Sequence, residues 1–258
     1  MNGRGILLVS GKQKKRPKKL RYMAFELKNV VPWGRNLDEY TSMFSLTDSD
    51  LKKRIISFGD GPASFNAEMT ALNRQVISLD PIYQFSKDEL GQRIVETKET
   101  ILEQARINQD YFIWTNIKSI EDLEKIRMDA MTRFINDFEF GKINGRYIYH
   151  ELPNSTGYKD LSFDLGLSSH FLLLYSQLGL DFHIKSLTEM LKNCKEIRVF
   201  PLLNLNVIKS EFLDNIIEHF DSDFIIKIVK VDYEFQRNGN EMLTIKRKQK
   251  IPLPNTCS

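Results

Sequence analysis

The chain has 258 residues, of which 41% are hydrophobic and 28% are charged. This apolar content excludes a wholly disordered or collagen-like protein, and no run of roughly 18 apolar residues is present that would cross a membrane as a helix. The two cysteines, Cys194 and Cys257, lack a metal-ligand spacing and are too few for a disulfide framework, so a cytoplasmic location is expected.

The formal net charge of +3 comes from one short segment. Residues 1–22 contain eight Lys and Arg and no acid, whereas residues 23–258 contain 29 Lys and Arg against 34 Asp and Glu, a net charge of about −5. A basic segment can bind nucleic acid phosphates through counterion release. The other interpretation is a solvated, disordered leader, which the absence of aromatic residues among the basic ones favours. We expect a basic tail over residues 1–22, the only part suited to nucleic acid, and a folded domain over residues 23–258.

The first clear pattern along the chain is a strand, a glycine loop, a helix and a second strand. Residues 54–58 (RIISF) form a short apolar strand, the loop GDGP follows at residues 59–62, and residues 63–73 place apolar side chains at helical spacing. Residues 75–79 (QVISL) form a second buried strand, and Pro81 prevents its continuation in a central strand. These elements predict one βαβ unit with a right-handed crossover.

A long helical stretch occupies residues 86–145. Ser86 and Glu89 form a capping box that begins the first helix, and Ser119 begins the second, for which Gly141 is the expected C′ residue. Because a simple crossover needs only one helix, this stretch is predicted to be a helical insertion or cap.

The alternation of strands and helices then resumes. Strands are predicted over residues 147–150, 163–168, 197–203, 224–231 and 242–245, and helices by the stripes Leu187, Met190, Leu191, Cys194 and Phe212, Leu213, Ile216, Ile217, Phe220. No helical pattern separates the last two strands, so they are expected to be antiparallel. The whole pattern predicts an α/β protein.

The glycine loop and the acid after the second strand predict a nucleotide-type site. Ligands of open α/β sheets bind at the carboxyl ends of the strands, where Gly59 and Gly61 let the backbone approach the ligand. Asp80 ends the second strand, where a carboxylate can accept hydrogen bonds from both ribose hydroxyls. A turn glycine that closes against a helix is the alternative explanation. A dinucleotide site prefers a third glycine where this chain has Ser64, and an antiparallel final strand favours an S-adenosylmethionine site instead.

Six stretches carry a more specific signal. They are residues 32–40 (PWGRNLDEY), 59–68 (GDGPASFNAE), 80–83 (DPIY), 169–176 (SHFLLLYS), 198–202 (RVFPL) and 233–237 (YEFQR). In these stretches the chain resembles a small bacterial group of class I S-adenosylmethionine-dependent methyltransferase-like proteins, over residues 25–247. The resemblance implies a Rossmann-like fold with a seven-stranded, mostly parallel sheet, an antiparallel last strand and S-adenosyl-L-methionine as cofactor.

The resemblance also implies a set of cofactor-binding positions. They fall here on Gly59, Asp60, Gly61, Asp80, Pro81, His150, Glu151, Ser168 and Ser169. Asp80 would bind the ribose, and His150 or Glu151 the adenine. The acid that the family usually has two residues before the first glycine is Ser57 here, and Asp60 is a candidate source of the missing negative charge.

Methyl transfer requires in-line positioning, and a base where the nucleophile holds a proton. His170 is the candidate base because the unperturbed pKa of histidine lies near neutrality. The alternative is a hydrogen-bonded residue at a strand end. Trp33, Arg35 and Tyr83 are candidates for the acceptor pocket, in which Arg35 would pair with an anionic acceptor or stack on Trp33 as a structural residue. No metal is assigned.

The sequence thus predicts an S-adenosylmethionine-dependent methyltransferase that acts on a small-molecule or other, unidentified acceptor, without membrane insertion. Two alternatives stay open. One is a non-catalytic, cofactor-binding module of the same fold, which Ser57 favours. The other is a nucleic-acid-directed methyltransferase that uses residues 1–22.

Overall fold

A computed structural model describes residues 33–248, so the predictions for residues 1–22 and Cys257 lie outside the described part. The strands are β1 (Ile55–Phe58), β2 (Val76–Asp80), β3 (Tyr147–Tyr149), β4 (Phe163–Ser169), β5 (Cys194–Phe200), β6 (Phe224–Lys230) and β7 (Glu241–Arg247). The helices are α1 (Leu37–Phe44), α2 (Phe65–Ala71), α3 (Lys87–Ile107), α4 (Ile120–Ile143), α5 (Leu180–Asn193) and α6 (Leu213–Phe220). None of these helices has the length and apolar character needed to span a membrane.

All seven strands form one sheet with the order β3-β2-β1-β4-β5-β7-β6. The pairs β1–β2, β1–β4, β2–β3 and β4–β5 are parallel, whereas β7 is antiparallel to both β5 and β6. The predicted Rossmann-like class I methyltransferase fold, with its antiparallel last strand, is therefore confirmed. Because the chain moves outward from β1 on one side and from β4 on the other, a crevice opens at the carboxyl ends of these two strands.

Two apolar layers hold the helices on the two faces of the sheet. All four residues of β1 are buried, as expected for a parallel strand that is covered on both faces. Ile56 belongs to the layer that includes α5 and α6, and its neighbour Ile55 belongs to the layer that includes α1 and α2. This double burial explains why residues 55–58 (IISF) contain no charged residue and are apolar apart from Ser57.

The region between β2 and β3 consists of α3 and α4. The predicted capping box of Ser86 and Glu89 is present at the start of α3, and Ser119 caps α4. The segment between the two helices is paired with the link from β6 to β7. The backbone N–H of Ile113 donates to the carbonyl oxygen of Phe235 at 2.8 Å. This pairing joins the two segments next to the carboxyl ends of the strands.

The predicted end of α4 is wrong. The helix continues through Gly141 to Ile143, and Gly145 takes the left-handed position that follows it, with a φ of 68°. Gly141 has a different use: a Cβ atom on it would lie 2.4 Å from the Tyr147 ring. The glycine is therefore explained by packing against β3 and not by termination of the helix.

Gly141→Ala is expected to lower the free energy of unfolding by about 1–3 kcal/mol, because the new methyl group must displace the Tyr147 ring. Gly91 in α3 is a matched control, since a Cβ atom there meets nothing within 4 Å. Gly91→Ala is expected to stabilise the protein by roughly 0.5–1 kcal/mol through helix propensity alone. Urea denaturation of both variants measures the difference, and equal effects would contradict the packing explanation.

The predicted position of Cys194 and the bounds of β5 also need correction. Cys194 does not extend the apolar stripe of α5 but begins β5, where it pairs with Phe163. A buried strand uses an apolar residue as readily as a buried helix face does, so the pattern did not separate the two. The strand ends at Phe200 and not at residue 203, because Pro201 has no N–H to continue the ladder.

Candidate functional site

A cavity of about 290 Å³ lies at the carboxyl ends of β1, β2 and β4. It is lined by the glycine loop, by residues 80–82 at the end of β2 and by residues 169–171 at the end of β4. The insertion and the β6–β7 link contribute further lining residues, namely Ile101, Ala105, Phe112, Leu123, Arg127, Phe235 and Gln236. This volume is close to the lower end of the range for small-molecule sites, roughly 300–1,000 Å³.

The structure brings nine of the thirteen predicted site residues to this cavity. They are Trp33, Arg35, Gly59, Asp60, Gly61, Asp80, Pro81, Ser169 and His170. The other four, Tyr83, His150, Glu151 and Ser168, are not part of its lining. The role of each residue in binding remains a prediction.

The four residues outside the lining have identifiable surroundings. The Tyr83 hydroxyl donates to the carbonyl oxygen of Gly61 at 2.7 Å, while its ring packs among the aromatic side chains of α4 and β3. Ser168 is buried away from the cavity because successive residues of a strand face opposite sides, and Ser169 takes the cavity side. His150 and Glu151 follow the edge strand β3, and Glu151 is exposed.

The two glycines of the loop differ in what lies beside them. Gly59 and Gly61 have φ values of 65° and 56°, in the left-handed region that glycine adopts without strain. A Cβ atom on Gly59 would lie 2.7 Å from the Phe171 ring, whereas one on Gly61 would meet nothing within 4 Å. Phe171 therefore covers Gly59, and close approach of a ligand to the backbone is possible at Gly61.

Asp80 connects the second strand to the glycine loop. One carboxylate oxygen accepts from the backbone N–H of Gly61 at 2.8 Å, and the other accepts from the backbone N–H of Ile82 at 2.9 Å. Burial raises the pKa of Asp80 to about 6, although both amide hydrogen bonds oppose this shift. Each oxygen keeps a second lone pair, so the carboxylate can accept two further hydrogen bonds from a ligand in the cavity.

The Asp60 carboxylate is surrounded by hydroxyl groups. It accepts hydrogen bonds from Tyr40 and Ser57 on one oxygen and from Ser78 on the other, the last at 2.5 Å. Burial raises the pKa of Asp60 above its ordinary value, and the three hydroxyls lower it in part. The Asp60 carboxyl group thus lies against Ser57, the position at which the family that the sequence resembles usually has an acid.

His170 has an unusual backbone and a neutral ring. Its φ of 52° is uncommon outside glycine, and its N–H donates to the carbonyl oxygen of Phe200 at 2.6 Å. Its Nδ1 is hydrogen bonded to the Ser169 hydroxyl at 2.9 Å. Burial lowers the pKa of His170 well below its ordinary value, and the charges of Arg35 and Arg127 lower it further. The imidazole is therefore uncharged at neutral pH.

Arg127 lines the cavity and was not predicted from the sequence. It is fully buried in α4, and its Nη1 donates to Glu39 of α1 at 2.5 Å. Burial alone would lower the pKa of Arg127, but the Glu39 carboxylate raises it. The sequence did contain a signal that Arg127 is buried. Arg127 lies four residues after Leu123 and four before Met131, on the apolar, buried face of α4. A charged residue in such a stripe is rarely buried without a partner.

The segment before α1 is packed on the glycine loop. A Cβ atom on Gly34 would lie 2.0 Å from the carbonyl oxygen of Pro62, so only glycine fits there. The backbone N–H of Ser64 donates to the carbonyl oxygen of Arg35 at 3.0 Å. These contacts explain why Trp33 and Arg35 line the cavity although they precede β1 by about twenty residues.

No family model matches the chain. The uncharacterized protein MJ0045 of Methanocaldococcus jannaschii is 35% identical over 230 residues, which cover 88% of this chain and 100% of that protein. This relative is archaeal, so the expectation of a bacterial group is not confirmed.

Several solved structures of methyltransferases are similar at low identity. Magnesium protoporphyrin IX methyltransferase from Synechocystis PCC 6803, with bound SAH, has a TM-score of 0.44 and 10% identity, with 82% of each chain covered. A SAM-dependent methyltransferase from Aquifex aeolicus has a TM-score of 0.36 and 11% identity, with 76% of this chain and 81% of that chain covered. The bifunctional kinase-methyltransferase WbdD has a TM-score of 0.43 and 8% identity. The match covers 83% of this chain but only 40% of the WbdD chain.

Proposed function

Because the chain belongs to the same family as the uncharacterized protein MJ0045 of Methanocaldococcus jannaschii, whose name states no activity, we propose its function from the site itself. We propose that the protein is an S-adenosyl-L-methionine-dependent methyltransferase with an unidentified acceptor. One observation carries the proposal: the Asp80 carboxylate lines the cavity at the end of β2 and is hydrogen bonded to Gly61, beside which the cavity is open.

The residues that line this cavity suit the cofactor. Asp80 offers one lone pair on each carboxylate oxygen, which matches the two hydroxyls of a ribose. Gly61 leaves room for a ligand next to the backbone, and Ile82 presents an apolar side chain beside Asp80. Asp80, Pro81, Gly61 and Ser169 would hold the cofactor.

The chemistry requires little more than positioning and the removal of a proton. When bound, S-adenosyl-L-methionine supplies an electrophilic methyl group. The neutral His170 ring can accept a proton, and its hydrogen bond to Ser169 fixes its orientation. Because Arg35 and Arg127 lower the pKa of His170, an anion bound to the two arginines would raise that pKa and make the ring a stronger base.

Calorimetric titration of the full chain with S-adenosyl-L-methionine and with S-adenosylhomocysteine tests the proposal. The wild type is expected to bind both, and Asp80→Asn to bind both at least roughly tenfold more weakly, since hydrogen bonds to charged groups contribute roughly 1.5–3 kcal/mol. Asp181→Asn, an exposed substitution in α5, is the matched control and is expected to bind as the wild type does. No binding to the wild type would contradict the proposed function, and normal binding to Asp80→Asn would contradict the proposed site.

The pH dependence of the same titration isolates the carboxylate. The ligand hydroxyls need the ionised form of Asp80, whose pKa in the free protein is about 6. Wild-type affinity is therefore expected to be near its maximum above about pH 7 and to fall about tenfold per pH unit below about pH 6. Asp80→Asn has no proton to bind at this position and should lack that decrease.

Radiolabelled methyl transfer to a cell extract separates an enzyme from a non-catalytic module. Transfer of label supports the enzyme, whereas tight cofactor binding without transfer supports the module. Nuclease treatment of the extract before the assay, together with deletion of residues 1–22, tests the nucleic-acid alternative, which requires loss of label in both cases.

A further inference from the structure

Positive charge exceeds negative charge at one part of the cavity. Arg35 and Arg127 both line it, and the only acid that is hydrogen bonded to either within residues 33–248 is Glu39. The two guanidinium groups are close enough that Arg127 contributes to a lowered pKa of Arg35, after the larger effect of burial. One positive charge is therefore left without a compensating carboxylate.

Several N–H groups at this position have no acceptor. Nε and Nη2 of the fully buried Arg127 and Nε of Arg35 lack a hydrogen-bond partner in the described part of the chain. Glu39 already accepts from Arg127 Nη1, from the Tyr233 hydroxyl at 2.8 Å and from the Asn36 N–H at 3.3 Å, which leaves its carboxylate about one acceptor position for all of these donors. Buried donors without acceptors are costly, so an anion from outside the chain would complete this arrangement.

The geometry of arginine limits what this anion can be. A guanidinium group is a planar fork of donors that matches the two oxygens of a carboxylate or of a phosphate. The remainder of the lining is mostly apolar and aromatic. Phe235 stacks on Phe112 with ring centroids 4.6 Å apart, and Trp33 packs in the same cluster. A ligand that fills this space would have an acidic group at one end and an apolar or aromatic body.

We propose that the methyl acceptor is a small acid whose carboxylate or phosphate group binds Arg35 and Arg127, and whose apolar body contacts Trp33 and Phe235. This inference rests on the proposed methyltransferase function and specifies its substrate class. The arginines act electrostatically on His170, so the acidic group would lie near the candidate base. The carboxylate of the cofactor itself is the other source of the same chemistry, and the experiment separates the two.

The experiment uses the full chain saturated with S-adenosylhomocysteine, which has no methyl group to transfer. Benzoate, phenylacetate and phenyl phosphate are titrated beside their neutral partners benzamide, phenylacetamide and phenol. At least one acid is expected to bind at least roughly tenfold more tightly than its neutral partner, the effect of a charge-assisted bidentate contact. Arg35→Gln is expected to abolish this preference, and Arg127→Lys, which keeps a charge beside Glu39, to reduce it. Arg93→Gln on the exposed face of α3 is the control and should preserve it.

Each contrary outcome is distinct. Equal binding of acids and neutral partners, or no binding of any acid, overturns the inference. The inference is also overturned if Arg35→Gln and Arg127→Lys weaken S-adenosylhomocysteine binding without changing the preference for acids, because the arginines would then hold the cofactor. If the wild type does not bind S-adenosylhomocysteine, the proposed function fails, and the acid titrations on the ligand-free chain still show whether the arginines form an anion site.

Discussion

Arg127→Met is expected to lower the free energy of unfolding by about 3–5 kcal/mol, the usual effect of removing one partner of a buried ion pair. The arginine is fully buried and the Glu39 side chain is almost so, and they connect α4 of the insertion to α1. Burial would raise the pKa of Glu39, but Arg127 lowers it below its ordinary value. Without the arginine, Glu39 keeps the Tyr233 hydroxyl and the Asn36 N–H but has no hydrogen-bonded cation.

A double-mutant cycle separates the ion pair from the loss of packing. Urea denaturation is measured for Arg127→Met, Glu39→Gln and the two substitutions combined. The combined variant is expected to be more stable than the sum of the single effects predicts, with a coupling free energy on the order of 2 kcal/mol. Arg93→Met, on the exposed face of α3, should change the stability little. Strict additivity of the two substitutions would show that Arg127 acts through packing alone.

The strands could be inferred from the sequence because double burial leaves a strong local pattern. Residues 55–58 and 76–79 are apolar apart from Ser57 and Ser78, and the loop of two glycines between β1 and α2 fixes the first βαβ unit. The capping box of Ser86 and Glu89 identified the start of α3, and the N-cap residue Ser119 identified the start of α4. The short α1 was missed, although Asn36 and Glu39 form a capping box of the same kind. Eight residues without a long apolar stripe give too little periodicity to identify a helix.

The part of the site that belongs to strand ends was predictable, and the part that belongs to the insertion was not. Asp80, Ser169 and His170 lie at or directly after strand ends, and the topology alone places the carboxyl ends of parallel strands together. The apolar stripe of α4 indicated that Arg127 is buried, but not that it lines the cavity. Phe235 reaches the cavity where the insertion pairs with the β6–β7 link, a contact between segments more than one hundred residues apart. No local pattern encodes such a pairing.

The orientation of the Asp60 side chain could not be predicted from the sequence either. From its place in the glycine loop, Asp60 was expected to lie beside the ligand. In the structure its carboxyl group accepts hydrogen bonds from hydroxyls of α1, β1 and β2. The sequence offered Asp60 as a candidate source of the charge missing at Ser57, and it did not identify the hydroxyls that contact the carboxyl group. Asp60 is therefore required for the structure of the loop and also lines the cavity.

Asp60→Ala is expected to lower the free energy of unfolding by roughly 2–6 kcal/mol, because the buried hydroxyls of Tyr40 and Ser57 lose the carboxylate that accepts from them, at roughly 1–3 kcal/mol each. Ser78 also loses the acceptor of its O–H, but its Oγ keeps the hydrogen bond that it accepts from the Asn66 side chain at 3.0 Å. Asp60→Asn keeps one acceptor oxygen and adds donors that hydroxyls can accept, so it should be less damaging. Denaturation of both variants gives the ranking, and equal losses would contradict the hydroxyl contacts as the cause.

The pH dependence of stability tests the charge of Asp60 separately from its shape. Burial raises the folded-state pKa of Asp60 above its unfolded value of about 4, so the folded wild type binds more protons than the unfolded chain between these two values. The stability of the wild type relative to Asp60→Asn should therefore decrease as the pH rises from about 4 through the folded-state pKa. Because Asp80 is present in both proteins, its own titration largely cancels from the difference. A difference that stays constant with pH would mean that the three hydroxyls offset the whole effect of burial, and that the negative charge beside Ser57 is held without a penalty to the fold.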